Sequence, residues 1–273
     1  MHKLLLNYTL KSVFIFIILI GFSCSSDSTI TDEPVAEEVE DEEVVEQENT
    51  EDDSETETDT ETTSSTIDFG DLVVETSWIS GDKSDRDQFT ANDIDNEEWM
   101  DVYETGNVMM TCLAPDGHRT ELKEDTGDES SLNTFKEMSY TATLNTVPEN
   151  GITVAQIHNR GGVNRPWIRV YVDDDSVLKI KETLTTPDES TSTYNTYVGP
   201  EYTAGDDYSV KITTQNGNAT FVIVTNEITY TETLSPSNDW DNYTNNYYLK
   251  AGVYTEGDDI EPVLEMSSFS IAY

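Results

Sequence analysis

The second half of the chain alternates between aliphatic and polar or aromatic residues, which is the period of a β-strand. The alternation runs through Trp167–Val172 and returns in Val177–Lys181. The cluster Asp173–Asp175 between them is rich in turn-forming residues. The pattern therefore predicts two antiparallel strands joined by a short turn.

A second hairpin is predicted around Asn216-Gly217, a dipeptide that favours tight turns between strands. It separates Val210–Thr214 from Ala219–Thr225, and further strand patterns follow at Ile228–Leu234 and Ser267–Tyr273. No window of a dozen residues has the period of an amphipathic helix. Many short strands at this spacing predict an all-β fold, a β-sandwich of the jelly-roll type.

The N-terminus, residues 1–23, has the pattern of a secretory signal peptide. A basic start precedes the apolar run Val13–Phe22, which is shorter than the roughly 20 residues of a transmembrane helix. Cys24 follows after Ser23 and, with small residues at Gly21 and Ser23, resembles the lipidated residue of a bacterial lipobox. We expect a lipid anchor through Cys24 to the bacterial outer membrane, at the cell surface. An ordinary signal peptide followed by an incidental cysteine is the alternative.

Residues 24–66 are predicted to form a disordered acidic tether. The stretch Thr31–Thr66 holds 17 acidic residues and no Lys or Arg. Such a segment buries too little apolar surface to offset its ordering entropy, and its like charges extend it. A docking tail for a partner is the alternative interpretation.

The remaining residues, 67–273, suit one domain, which we expect to be monomeric. They hold 38 acidic and 12 basic residues, a formal charge of −26. This charge argues against nucleic acid as a partner, because phosphate binding needs a basic surface. If Cys24 carries lipid, Cys112 has no disulfide partner, and its apolar neighbours predict a buried thiol.

Three segments of this domain combine an apolar strand face with a face of functional polar groups: His118–Glu124, Val154–Asn159 and Tyr247–Tyr254. If the three strands adjoin in one sheet, their polar faces form a cationic groove in an acidic protein. Solvated strand faces are the alternative for each segment alone. The polar set comprises Arg119, Glu121, Lys123, Gln156, His158, Tyr248, Lys250 and Tyr254.

Three motifs in these segments resemble the signature motifs of polysaccharide lyase family 7, the alginate lyases. They are Arg119-Thr120-Glu121-Leu122, Gln156-Ile157-His158 and Tyr248-Leu249-Lys250-Ala251-Gly252-Val253-Tyr254. The resemblance implies a jelly roll with a cleft across its concave sheet. It also implies cleavage of alginate by β-elimination, with no cofactor and no catalytic metal.

Elimination begins with removal of the C5 proton of a uronate, which is weakly acidic until the neighbouring carboxylate is neutralised. Arg119 and Gln156 offer donors for that carboxylate. His158 has the reference pKa of a general base near neutrality, and Tyr254 can donate a proton to the leaving oxygen. The resemblance implies that His158 is the base for guluronate and Tyr254 the base for mannuronate.

The resemblance also gives Lys123, Tyr248 and Lys250 a role in binding neighbouring sugars. Glu121 shares a strand face with Arg119 and Lys123 and is expected to orient them. The resemblance further implies that isoleucine in the second motif favours guluronate-containing substrate. The chain departs from the family where Lys123 replaces an arginine, where Leu249 replaces a phenylalanine, and where Glu256 follows the last motif. These departures bear on sugar preference more than on the reaction.

Other functions stay open on the sequence alone. A lyase acting on another uronate polymer, such as glucuronan, would use the same groups. A non-catalytic glycan-binding lipoprotein or a purely structural surface protein would not need a poised acid and base. Asp173–Asp175 could hold a structural Ca²⁺ with oxygen ligands, although a solvated turn is the favoured interpretation of the cluster.

Overall fold

The computed structural model describes residues 67–77, 86–94, 96–113, 119–161, 165–185, 191–255 and 261–273. The predicted signal peptide, Cys24 and the acidic tether lie outside the described residues, as do His118 and Glu256. Within the described part of the chain, no helix is both long and apolar enough to span a membrane.

The described residues form fifteen β-strands and two short 3-10 helices, and this confirms the all-β prediction. The helices are Ala91–Asp93 and Asn238–Tyr243. The strands are β1 (Val73–Thr76), β2 (Asp87–Thr90), β3 (Met100–Val102), β4 (Val108–Thr111), β5 (Arg119–Lys123), β6 (Lys136–Leu144), β7 (Ile152–Asn159), β8 (Arg165–Val172), β9 (Val177–Thr183), β10 (Tyr194–Glu201), β11 (Asp207–Gln215), β12 (Asn218–Thr225), β13 (Ile228–Leu234), β14 (Tyr247–Thr255) and β15 (Val263–Ala272).

The strands pair into two antiparallel sheets, the arrangement of a jelly-roll sandwich. One sheet has eight strands in the order β10-β9-β8-β7-β14-β5-β1-β2. The other has seven strands in the order β13-β12-β11-β6-β15-β4-β3. Most neighbours in the middle of each sheet are distant in sequence, so long-range pairing brings β5, β7 and β14 together.

The core lies between the sheets and is apolar and aromatic. Its fully buried members include Trp167 and Val170 of the eight-stranded sheet and Phe221 and Ile223 of the other. The hydroxyl of Tyr140, in β6, donates to the backbone oxygen of Val154 in β7 at 2.8 Å and ties the two sheets together. Burial of this apolar surface is the main stabilising contribution to the fold.

The hairpins predicted from the alternating pattern are present. Asn216 and Gly217 have φ of 53° and 79° and join β11 to β12, as a tight primed turn requires. Asp173–Asp175 follow β8 and lead into β9, in register across the pair. Strand β13 has the predicted bounds Ile228–Leu234.

The two sheets differ in how exposed they are on the face that points away from the core. In the seven-stranded sheet, β6, β11 and β12 alternate buried and partly exposed residues, so one face meets solvent. In the eight-stranded sheet, β5 and β7 are buried along their whole length. The polar side chains on these two strands are therefore held in a largely desolvated site.

Candidate active site

The three sequence segments singled out for their polar faces occupy adjacent strands, with β14 between β7 and β5. Lys250 of β14 lies opposite both Lys123 of β5 and Gln156 of β7. In the same way Tyr254 lies opposite Arg119, and Tyr248 lies opposite His158. The structure thus brings all eight predicted site residues of the folded domain onto one region of one sheet.

Glu121 lies at the centre of this region and accepts from three side chains. Its Oε2 is 2.5 Å from Nζ of Lys250 and 3.4 Å from Nη1 of Arg119. The amide of Gln156 donates to its Oε1. Glu121 therefore contacts a donor from each of the three strands.

A second carboxylate, Glu75 of β1, also belongs to the cluster, and the sequence analysis missed it. Its Oε2 accepts from Nζ of Lys123 at 2.6 Å, and its Oε1 is 3.5 Å from Lys250 Nζ and from Arg119 Nη1. Burial alone would raise the pKa of Glu75, but the charges of Lys250 and Lys123 hold it well below its usual value.

The cluster combines three cations with two carboxylates in a nearly dry environment. Lys250 is 1% exposed and Glu121 is 2% exposed. Burial lowers the pKa of Lys250, and the attraction of Glu121 and Glu75 opposes that shift. The predicted cationic groove is thus mostly compensated, with a formal excess of one positive charge among these five groups.

His158 sits beside the cluster with its ring 5.1 Å from the ring of Tyr248. Burial lowers the pKa of His158 well below its usual value, and the charges of Lys250 and Arg119 lower it further. The imidazole is therefore neutral at neutral pH. The backbone N–H of Asn159 donates to its Nδ1 at 3.1 Å, so the neutral ring carries its proton on Nε2 in this arrangement.

Tyr248 is enclosed between His158 and Arg160. The guanidinium carbon of Arg160 lies 4.4 Å from the centre of the Tyr248 ring, and the side chain is almost entirely buried. Little of its surface is left for a sugar to contact. Its ring packs against His158 and supports it, while its role in binding neighbouring sugars stays a prediction.

Tyr254 is the partly exposed member of the site, and two guanidinium groups flank it. The guanidinium carbon of Arg119 lies 4.4 Å from the ring centre, and that of Arg169 lies 5.4 Å away. An open pocket beside Tyr254 is also lined by Tyr171 and Lys181.

Arg169 and Lys181 are the other site residues that the sequence analysis missed. Arg169 of β8 is in register with Gln156 on one side and with Lys181 of β9 on the other. Arg169 and Lys181 therefore extend the row formed by Lys123, Lys250 and Gln156, and the whole row crosses five adjacent strands. The signal was present in the sequence, because Arg169 occupies a polar position in the alternating segment Trp167–Val172.

The acidic turn Asp173–Asp175 lies at the end of β8, and its carboxylates come close enough together to hold a metal ion. Lys179 places its Nζ 2.6 Å from Asp173 and 2.8 Å from Asp175. A lysine ammonium already compensates these carboxylates, which supports the interpretation of the cluster as a structural turn.

Cys112 follows β4 as a buried thiol that forms no disulfide within the described residues. Burial raises its pKa to about 12, so the thiol is protonated at neutral pH. Because the thiolate is the nucleophilic form, Cys112 is a core residue and takes no part in the chemistry of the site.

Together these groups suit an anionic substrate that must gain and lose protons. Arg119 and Gln156 offer donors to an anion. The neutral imidazole of His158 lies on β7, and the phenol of Tyr254 lies on the adjacent strand β14. The Nε of Arg119 is buried and has no hydrogen-bond partner within the described residues. A buried unsatisfied donor of this kind is a ready contact for a ligand carboxylate.

Residues 67–270 match the model of the family described as alginate lyase. Among solved structures, the family 7 alginate lyase A1-II′ shares 18% identity with a TM-score of 0.57, covering 74% of this chain and 94% of that chain. The alginate lyase AlyC3 in complex with dimannuronate shares 14% identity with a TM-score of 0.59, covering 74% and 89%.

An alginate lyase from Klebsiella pneumoniae shares 15% identity with a TM-score of 0.58, covering 74% of this chain and 95% of that chain. At these identities the likeness concerns the fold. None of the curated proteins compared with the chain matches it.

Proposed function

Because the chain belongs to the alginate lyase family and is a polysaccharide lyase, we propose that it cleaves alginate by β-elimination at the cluster on β5, β7 and β14. The observation that carries the proposal is the convergence of Arg119, Gln156, His158 and Tyr254 on one region of the eight-stranded sheet. These side chains supply anion neutralisation, a base and an acid in one place.

Substrate binding begins with the uronate carboxylate next to the bond that breaks. Its proposed donors are the Nε–H of Arg119, which has no hydrogen-bond partner within the described residues, and the second amide N–H of Gln156. Glu121 restrains both side chains through its two oxygens. Donors that are already oriented stabilise the charge that builds up on the carboxylate as C5 loses its proton.

In the elimination step, a base takes the C5 proton, the electron pair forms the C4–C5 double bond, and the bond from C4 to the bridging oxygen breaks. Tyr254 protonates that oxygen as it leaves. For guluronate His158 is the proposed base, which requires Nε2 to be unprotonated. The hydrogen bond from Asn159 to Nδ1 must therefore break when substrate binds, so that the ring proton moves to Nδ1.

For mannuronate, Tyr254 is the proposed base as well as the acid. Arg119 and Arg169 beside the ring stabilise its phenolate form. The phenolate takes the C5 proton and the resulting phenol returns a proton to the leaving oxygen. No metal ion is required, because the guanidinium of Arg119 performs the neutralisation. Activity in the presence of a chelator tests this point.

The polymer is proposed to run across the strands along the line from Lys123 to Lys181. Adjacent strands lie about 4.8 Å apart, and four of the five residues on the line, all except Gln156, offer a positive charge to a chain of uronates. Lys123 and Lys250 act mainly through their charge, because both are almost fully buried. Arg169 and Lys181 line the open pocket and can contact sugars directly.

Guluronate-containing alginate is the proposed preferred substrate, on the basis of Ile157 between Gln156 and His158. Ile157 is fully buried on the core side, opposite Leu249, so it acts by setting the position of β7 beneath His158. Initial rates on polyguluronate and polymannuronate compare the two blocks directly. A higher rate on polymannuronate would contradict this preference.

We also propose that the protein is a monomer displayed on the outer membrane through a lipid on Cys24. The support for the anchor is the sequence pattern, in which the apolar run Val13–Phe22 precedes Cys24 by one residue and an acidic stretch follows. Replacing Cys24 by Ser should move the protein from the membrane fraction to the soluble fraction of the exporting bacterium. An unchanged distribution would overturn the anchor.

The reaction is tested by ultraviolet absorbance of the unsaturated uronate ends during incubation with alginate, polyguluronate, polymannuronate or glucuronan. We expect the signal to rise with the alginate polymers. If the absorbance rises with glucuronan alone, the proposed elimination mechanism holds but the substrate is glucuronan and not alginate. A flat trace with all four polymers would contradict the proposed activity.

A further inference from the structure

Glu75 occupies a position that a site for polyanions would be expected to avoid. It is 4% exposed and lies directly opposite Glu121 on the paired strands β1 and β5. Like charges opposite each other on neighbouring strands repel and destabilise the pairing. A carboxylate kept here therefore needs compensation from nearby cations.

That compensation comes from the cations that face the proposed substrate. Glu75 contacts Lys123 at 2.6 Å, Lys250 at 3.5 Å and Arg119 at 3.5 Å. Its remaining contacts, Gln88 at 3.5 Å and Arg86 at 3.9 Å, come from β2 and the residue before it. Lys123 is the side chain it holds most closely, since the other carboxylate of the cluster binds Lys250 and Arg119.

Two effects follow from this geometry. Glu75 fixes the direction of Lys123 and restrains Lys250 and Arg119, and it cancels one of their three charges. Without it the five-group cluster would carry a formal excess of two positive charges instead of one. A uronate polymer would then be held more tightly before reaction, and tight binding of substrate does not speed the chemical step.

Resting on the function proposed above, we propose that Glu75 is a positioning residue whose charge weakens ground-state binding of the polyuronate and keeps Arg119 and Lys250 aligned for the reaction. Glu75→Gln retains the size and hydrogen-bonding capacity of the side chain and removes the charge. It should lower KM for alginate by about fivefold, because one net charge is added to a dry site. It should also lower kcat, because the donors are no longer restrained.

The matched control is Glu182→Gln. Glu182 of β9 is equally buried and accepts from the hydroxyl of Tyr197 at 2.8 Å, outside the cluster. This substitution should leave KM unchanged. A purely structural role for Glu75 would affect the thermal unfolding temperature, as the control can, but it would not move KM.

Binding without turnover is measured by calorimetry with alginate in the full chain carrying Tyr254→Phe, with and without Glu75→Gln. The affinity gain should be largest at low salt and shrink as salt screens the added charge. If Glu75→Gln impairs folding, combining it with Lys123→Gln removes both partners of the ion pair. The charge account then predicts a salt dependence close to that of Tyr254→Phe alone.

Unchanged or weaker alginate binding by a folded Glu75→Gln protein would overturn the role of Glu75. The same holds for an affinity gain that persists undiminished at high salt. If neither Tyr254→Phe protein binds alginate and the unsubstituted protein does not cleave it, the proposed function fails, and this inference falls with it. The two failures are therefore distinguishable.

Discussion

His158 illustrates how burial prepares a single residue for chemistry near neutral pH. Burial and the charges of three nearby cations, Lys250, Arg119 and Arg169, lower the pKa of the ring, so its protonated form is disfavoured. A neutral imidazole is the form that can accept a proton. The consequence is that acid favours the unfolded chain, because His158 takes up a proton there and stays neutral in the folded protein.

This leads to a prediction for the pH dependence of activity on polyguluronate. Because the pKa of His158 lies below its usual value of 6.5, the acid side of the kcat/KM profile should fall only below that pH. The same depressed pKa makes folding stability decline as pH drops below 6.5, because the unfolded state then binds the proton. An acid limb centred at or above 6.5 would contradict the assignment.

Glu121 provides a second test at the scale of one residue. Removing one partner of a buried ion pair leaves charges unpaired, so Glu121→Ala should reduce the free energy of unfolding by about 3–5 kcal/mol. Denaturant titration measures this value. Glu201→Ala, on an exposed position of β10, is the control and should change it by less than about 0.5 kcal/mol. Equal effects would show that the cluster is not centred on Glu121.

At the scale of the element, the approach of β14 to β5 depends on a residue without a side chain. Gly252 has φ of 140°, and a Cβ there would lie 2.4 Å from the backbone oxygen of Thr120 and 2.8 Å from Cα of Glu121. Backbone atoms cannot yield as a flexible side chain can. Gly252 therefore lets β14 place Lys250 and Tyr254 against β5.

Gly252→Ala should destabilise the protein by more than the roughly 1–3 kcal/mol expected from an unfavourable φ alone. Gly205→Ala is the matched control, since Gly205 has φ of 96° and open space where its Cβ would lie. Thermal unfolding of both variants separates backbone strain from crowding. Similar losses for the two would mean that the close approach of the strands is unimportant.

At the same scale, the difference between local and long-range signals explains which parts of the fold could be predicted from the sequence. Alternation and turn residues are local signals, so the strands around Asn216-Gly217 and Asp173–Asp175 were predicted correctly. Pairing between distant strands has no local signal. Glu75 lies 46 residues from Glu121 along the chain, and only the order of the sheet shows that they are neighbours.

The motif-bearing segments were recognised because each carries its own apolar and polar faces. Arg169 and Lys181 have the same kind of pattern, but they belong to no signature motif, and alternation alone marks them as ordinary strand positions. Their place beside Tyr254 depends on the register between β7, β8 and β9. The two-residue period of a strand shows which face of the sheet a side chain lies on. It does not show which residues of the neighbouring strands lie beside it.

At the scale of the whole molecule, a small compensated site lies within a strongly acidic protein. The full chain has a formal charge of −42, whereas the cluster on β5, β14 and β1 has an excess of one positive charge. Long-range repulsion therefore opposes the approach of an anionic polymer, and attraction acts only close to the site.

This balance predicts that moderate salt accelerates the reaction. Raising NaCl from about 10 mM to about 150 mM shortens the screening length from about 30 Å to about 8 Å. Distant repulsion is then screened while contacts inside the dry site persist, so kcat/KM for alginate should rise. A steady fall over this range would show that attraction by exposed cations dominates instead.

The most direct test of the central claim compares the unsubstituted protein with His158→Ala and Tyr254→Phe on polyguluronate, following the unsaturated ends and polymer binding together. The account predicts that both variants bind the polymer and that each loses at least about a hundredfold in kcat, the contribution typical of a positioned acid or base. If both variants bind and cleave polyguluronate as the unsubstituted protein does, the reaction does not occur at this cluster, and the account is wrong.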